Sequence, residues 1–108
     1  MQYGIILLFI WFIGISAEVQ SHYPDLTKKE DLKALGIGKI IEKDWSIITR
    51  ITLDEVQEFG IVYIKDESLH DMAIDKIARI EFNRTKWGKV VIEFNKGKAH
   101  ISVNENEP

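Results

Sequence analysis

The sequence predicts an α+β fold: an N-terminal hydrophobic helix serving as signal or anchor, one short helix, then a small, mainly antiparallel β-sheet or meander. Three observations carry this. Gly4 to Ile15 holds no charged residue, and all 14 Lys/Arg and all 17 Asp/Glu fall at or beyond Glu18. One short run beyond Glu18 has helical spacing and helix-boundary residues. The last third alternates apolar and polar residues with a period of two. At 108 residues the chain has room for one small domain. We divide it into 1–17 as signal peptide or membrane anchor, 18–26 as linker, 27–103 as the α+β domain and 104–108 as a polar tail.

The opening segment admits three readings. As a cleaved signal peptide it has an apolar stretch of suitable length, and Ser16-Ala17 before Glu18 suits a cut after Ala17. The absence of Lys or Arg in residues 1–3 and the bulk of Ile15 weigh against it. As a retained anchor it falls short of the roughly 20 apolar residues that cross a bilayer, because Glu18 interrupts it. Lys28, Lys29 and Lys33 on its flank would then favour a cytoplasmic body. As a core helix it is apolar on every side, and so small and ionic a remainder offers too little surface to enclose it. Ile5, Leu8, Phe9, Trp11 and Phe12 are therefore assigned to a membrane or export segment, with Ala17 at its end.

After the linker comes LTKKEDLKALG. Thr27 with Glu30 three residues on has the form of a capping box, and Gly36 suits a left-handed residue past the end, so the sequence predicts a helix over 28–35. In WSIITRITL the odd positions Trp45, Ile47, Thr49, Ile51 and Leu53 alternate with polar ones as on a half-buried strand, with Ile48 out of phase. FGIVYIKD gives another strand near 60–65. Between them, Thr52 and Glu55 allow either a one-turn helix ending at Gly60 or a hairpin at Asp54-Glu55. Ile80 and Phe82, then Val90, Ile92 and Phe94, then Ile101 and Val103 mark three strands of an antiparallel meander over 78–103. Asn95-Lys96-Gly97-Lys98 is a tight-turn signal within it.

Little in this pattern suggests catalysis. With no cysteine, thiolate metal sites and cysteine nucleophiles are excluded. His22, His70 and His100 show no metal-ligand spacing, and no serine sits in a nucleophile elbow. Gly36 and Gly38 in LGIGK lack the rest of a phosphate-loop fingerprint. Asp54, Glu58 and His70 would suggest an enzyme only if gathered in one cleft. The net charge of −3 argues against nucleic acid. We expect no enzyme, no metal and no cofactor.

The residues singled out for a partner or lipid contact are Trp87 and the cations Arg84, Lys86 and Lys89 around it, since an indole at a loop tip suits either role. The alternative for Trp87 is a ring folded back over the end of the core. Asn83-Arg84-Thr85 also forms a glycosylation sequon. The run SLHDMAIDKIARIEFNRTKWGKVVIEFNKGKAHISV, through Ile77, Ile80 and Phe82, resembles the later strands of bacterial pleckstrin-homology-like domains, and equally a fragment of receptor plug domains. The shared motif is alternating hydrophobicity, and no family membership is read from it. The expected function is a non-enzymatic accessory or protein-binding module, exported to a periplasmic or outer space or anchored to a membrane. The alternative is a small single-pass subunit of a membrane complex with a β-rich cap. The expected partner is another protein, met through strand edges or the Trp87 loop, with the membrane met through the N-terminal segment. Oligomeric state is not read from the sequence.

Overall fold

A computed structural model describes residues 23–104. The assignments made for residues 1–22, including the membrane or export segment from Ile5 to Ala17, lie outside the described residues, as does most of the polar tail. Helix α1 (Lys29–Leu35) is followed by β1 (Gly38–Glu42), β2 (Ile47–Val56), β3 (Gly60–Lys65) and β4 (Ser68–Ala73). A 3-10 turn (Ile74–Lys76) leads to β5 (Ile77–Thr85), β6 (Gly88–Asn95) and β7 (Lys98–Asn104). The described residues form a small, mainly antiparallel β-sheet with one short helix. Its seven strands lie in the order β4-β3-β2-β1-β5-β6-β7, leaving β4 and β7 as edges.

Helix α1 forms close to its expected bounds, yet its N-terminus is built differently. The N-cap is Lys28, with no side-chain cap. Thr27 instead turns to Asp25: its amide and hydroxyl both donate to Asp25 Oδ1, at 2.9 and 2.6 Å. The Asp25 carboxyl is held below its usual range by these hydrogen bonds from Thr27. Asp31 rather than Glu30 reaches back, accepting from the Asp25 amide at 2.7 Å. Gly36 ends the helix at φ +73°, a conformation that favours glycine. Residues 23–26, expected as linker, already belong to the fold, since Pro24 is buried and Leu26 packs on the core.

The two longest strands, β2 and β5, each bulge twice. The register of β2 slips against β1 between Ile48 and Ile51, and against β3 between Leu53 and Glu55. That of β5 slips against β1 between Ile77 and Arg79, and against β6 between Phe82 and Thr85. Each bulge adds a residue and resets the alternation. In β2 this corrects the expected pattern. Ile51 and Leu53 face the core, but so does Ile48, while Ile47 and Trp45 are 56% and 71% exposed. Arg50 at φ +58° marks the kink. Neither expected form of the 52–60 segment occurs, because β2 runs on to Val56 and turns through 57–59.

Bulges bend a strand, and here the bending brings distant turns together. The Ile74 amide donates to the Phe59 carbonyl and the Lys43 amide to the Lys76 carbonyl, both at 2.9 Å. The β2–β3 turn thus comes to the same end as the β1–β2 turn. On the inner face, register places Ile48, Ile40, Ile80, Ile92 and Ile101 in one row across neighbouring strands. A second row runs through Phe82, Val90 and Val103. Helix α1 covers this face on β2 and β5, burying Leu32 and Leu35.

Candidate functional site

The Trp87 loop joins β5 to β6 with two residues, Lys86 and Trp87. The Thr85 hydroxyl donates to the Gly88 carbonyl at 2.7 Å and accepts from the Trp87 amide at 3.0 Å, so one buried side chain organises the turn. It also draws the indole inward. Trp87 is 7% exposed, belongs to the core cluster, and buries Nε1 without a hydrogen-bond partner. The Lys86 ammonium sits 4.8 Å from the ring centroid, within cation–π range. Arg84, Lys86 and Lys89 are exposed. In this conformation the surface presents the three cations and not the indole. Asn83 of the sequon is exposed, but the Thr85 hydroxyl is committed to the turn.

The residues that might have suggested an enzyme are kept apart. Asp54 lies 3.5 Å from Lys29 on α1. Glu58 lines a cleft with Phe59, Gly60 and Met72, and His70 lies in a different concavity with Val62 and Leu69. His100 is exposed on β7, across from Glu93. Among the described residues no group of three or more His, Asp or Glu could hold a metal ion. The two glycines of LGIGK serve packing and turn geometry: Gly36 ends α1, and a Cβ on Gly38 would lie 2.5 Å from the Phe82 ring.

The least protected part of the sheet is β4, whose residues are exposed except Met72, which is half-buried. It pairs with β3 without a register slip, from Lys65↔Ser68 to Gly60↔Ala73. Asp66 and Glu67, at φ +52° and +66°, form the two-residue turn that sets this register. A bond from the Ile74 amide to the Phe59 carbonyl extends the ladder and fixes its phase. Even-numbered β4 residues therefore bond to β3. Leu69, Asp71 and Ala73 direct their amides and carbonyls away from it.

Side chains along this edge have distinct chemistry. His70 stacks on Tyr63, with ring centroids 5.3 Å apart and planes 18° apart. Burial raises the Tyr63 phenol pKa, and the negative charges of Glu42 and Asp71 push it the same way. Leu69 is 66% exposed and lies across from Ile64, with Asp71 across from Val62. Asp66, Glu67 and Asp71 make the hairpin acidic, while the nearby Lys65 ammonium is committed to the Thr49 carbonyl at 2.6 Å.

A second exposed group lies where the sheet folds back on itself. Phe59 is 78% exposed on the β2–β3 turn, and Trp45, at φ +73°, is 71% exposed on the β1–β2 turn. A cleft of about 410 Å³ at this end is lined by Lys43, Phe59, Ile74, Phe94 and Lys96, among others. Neither this group nor β4 stood out in the sequence. Among the described residues, no helix is long and apolar enough to cross a membrane. No family model matches this chain, nor does any curated protein or solved structure.

Proposed function

We propose that this domain is a non-enzymatic protein-binding module, exported or held at a membrane by its N-terminal segment, that takes an extended segment of another protein as a strand beside β4. The observation that supports it is the open backbone row of Leu69, Asp71 and Ala73. Exposed edges ordinarily carry lysine, proline or a bulge that discourages pairing. β4 has no Lys or Pro and no slip against β3. The other edge, β7, begins at Lys98 beside Lys96 and packs Ile101 and Val103 toward the core.

The acidic hairpin selects the partner's chemistry. An added strand would set a Lys or Arg across from Asp71 and an apolar residue across from Leu69, each such pair contributing roughly 0.2–1 kcal/mol. Three outward residues offer about six backbone hydrogen bonds at roughly 1 kcal/mol net each. Before ordering costs, that sum corresponds to a dissociation constant on the order of tens of micromolar. The interaction belongs to the weak, reversible class unless side chains add to it.

A photo-crosslinker at Leu69 in the native cell tests the reading. The expected result is one discrete adduct with a different protein, lost on Asp71→Pro while the circular dichroism of that variant stays native. No adduct, an adduct indifferent to Asp71→Pro, or one with twice the mass of this chain would each refute it.

A further inference from the structure

We propose that the end of the sheet bearing the 43–46 and 57–59 turns is a lipid-contacting face, with Trp45 and Phe59 entering the headgroup layer of a bilayer. This rests on the reading of Gly4 to Ile15 as a segment that holds the chain to a membrane.

Trp45 has a backbone role and an exposed side chain: its amide donates to the Glu42 carbonyl, and the Glu42 amide to the Ser46 carbonyl, both at 2.8 Å, closing the β1–β2 turn. The turn needs φ +73° at this residue, a region disfavoured for bulky side chains, and Trp45 is 71% exposed, so the fold fixes its backbone and leaves its side chain in the open. Ile47, at 56% exposure, and Phe59, at 78%, extend the apolar surface. The Phe59 turn is pinned by the Ile74 amide, so the phenyl group is presented from a fixed backbone. Phe94 and Ile74 continue the apolar character into the cleft behind it.

The flanking charges and the chain's own tether favour a bilayer over a charged protein patch. Lys43 and Asp44 on the first turn and Glu58 on the second are joined at this end by Asp75 and Lys76 of the 3-10 turn and Lys96 of the β6–β7 turn, a balanced set. Such a set gives no attraction to a patch of either sign. It does suit the zwitterionic headgroup layer, where Trp is enriched and Lys can extend outward. Residues 16–22 span at most about 25 Å when extended, which keeps the domain close to any membrane that holds residues 4–15. With the sheet's end on the lipid, the strands rise from the surface and the β4 edge stays open to the side.

The chain has no cysteine, so Ser46→Cys and Lys86→Cys each introduce a single thiol, one at either end of the sheet. Each full-length variant is labelled with an environment-sensitive fluorophore and reconstituted into phosphatidylcholine vesicles carrying nitroxide headgroup lipid. Flotation with the vesicles reports the tether, and quenching reports the face. Expected are flotation of both variants, loss of emission at position 46, and no loss at position 86. Adding Trp45→Ala and Phe59→Ala should abolish the quenching at 46 while flotation persists. Flotation without quenching at 46 overturns the lipid face and leaves the tether standing. Quenching at 86 instead overturns it in favour of the Trp87 end. Failure to float defeats the tether reading and this inference together.

Discussion

Gly38 shows how one missing side chain can organise a face. The Phe82 ring fills the space a Cβ would occupy, and the Glu81 carbonyl lies 2.6 Å from the same point. Gly38→Ala should therefore destabilise the domain by about 1–3 kcal/mol, the usual range for overpacking, read as a lower urea midpoint with unchanged slope. Thr85 carries a comparable burden through its two hydrogen bonds. Thr85→Val should cost roughly 1–3 kcal/mol by leaving the Trp87 amide unpaired, and Thr85→Ser should recover most of it. Glu81 gives a pH-dependent test. Its carboxylate accepts from Arg79 Nε at 2.6 Å and lies 3.7 Å from Lys39 Nζ, with only 13% of the side chain exposed. The Arg79 hydrogen bond, partly opposed by burial and aided by the charges of Arg79, Lys39 and Lys89, holds its pKa below the usual range. A depressed folded-state pKa adds stability above the unfolded value and loses it as pH falls through the folded one. Thermal melts from pH 6 to pH 3 should accordingly show a shallower acid decline in Glu81→Gln than in the parent, the difference opening as pH falls below the ordinary Glu value of about 4.3. Parallel declines would mean that Glu81 is not among the groups responsible.

At the scale of the element, proline scanning separates the two sides of β4. Asp71 directs its amide away from β3, so Asp71→Pro should leave the hairpin folded, whereas His70→Pro removes a ladder bond to Tyr63 and should loosen it. Backbone amide exchange in the two variants is the measurement. Equal loosening would mean that the assigned phase of the ladder is wrong. The same strand shows what was hard to read beforehand. β3 and the meander of β5, β6 and β7 were legible because their alternation is strong and Lys96-Gly97 marks a turn. β4 was not, since SLHDMA lacks apolar alternation and its turn uses Asp66-Glu67 without glycine. β1 was missed because Ile40-Ile41 is too short a run to register. The bulges were the other obstacle. Ile48/Ile51, Leu53/Val56, Ile77/Ile80 and Phe82/Thr85 each stand three apart and lie where a register slips. A spacing of three resembles a helix turn, which is how Thr52 and Glu55 came to suggest a cap. The Trp87 loop was legible as a turn, whereas the fate of its indole depended on Thr85, a contact that spacing does not reveal.

For the molecule as a whole, four bulges on two strands turn a seven-stranded sheet into a curved shell with its apolar rows inside. The shell stays open, because its outermost strands β4 and β7 are not neighbours in the order. The two proposed contacts, strand addition and lipid contact, would use different parts of it, one along an edge and one at an end. Intact-mass measurement on protein from its native membrane bears on the proposals at this scale. A mass retaining residues 1–17 is expected if the lipid-facing end is used in the cell, and loss of those residues would release the domain from the bilayer.

Helix α1 gives this arrangement a mechanical aspect. It has seven residues, too few for a helix to persist alone, and it is the element joined to whatever precedes Tyr23. A domain suspended by that end would transmit tension through Pro24 and Leu26 and then into Leu32 and Leu35, the side chains with which the helix covers the concave rows. Under load the cover would lift before any strand parted, and the isoleucine row beneath would meet water while the shell itself kept its shape.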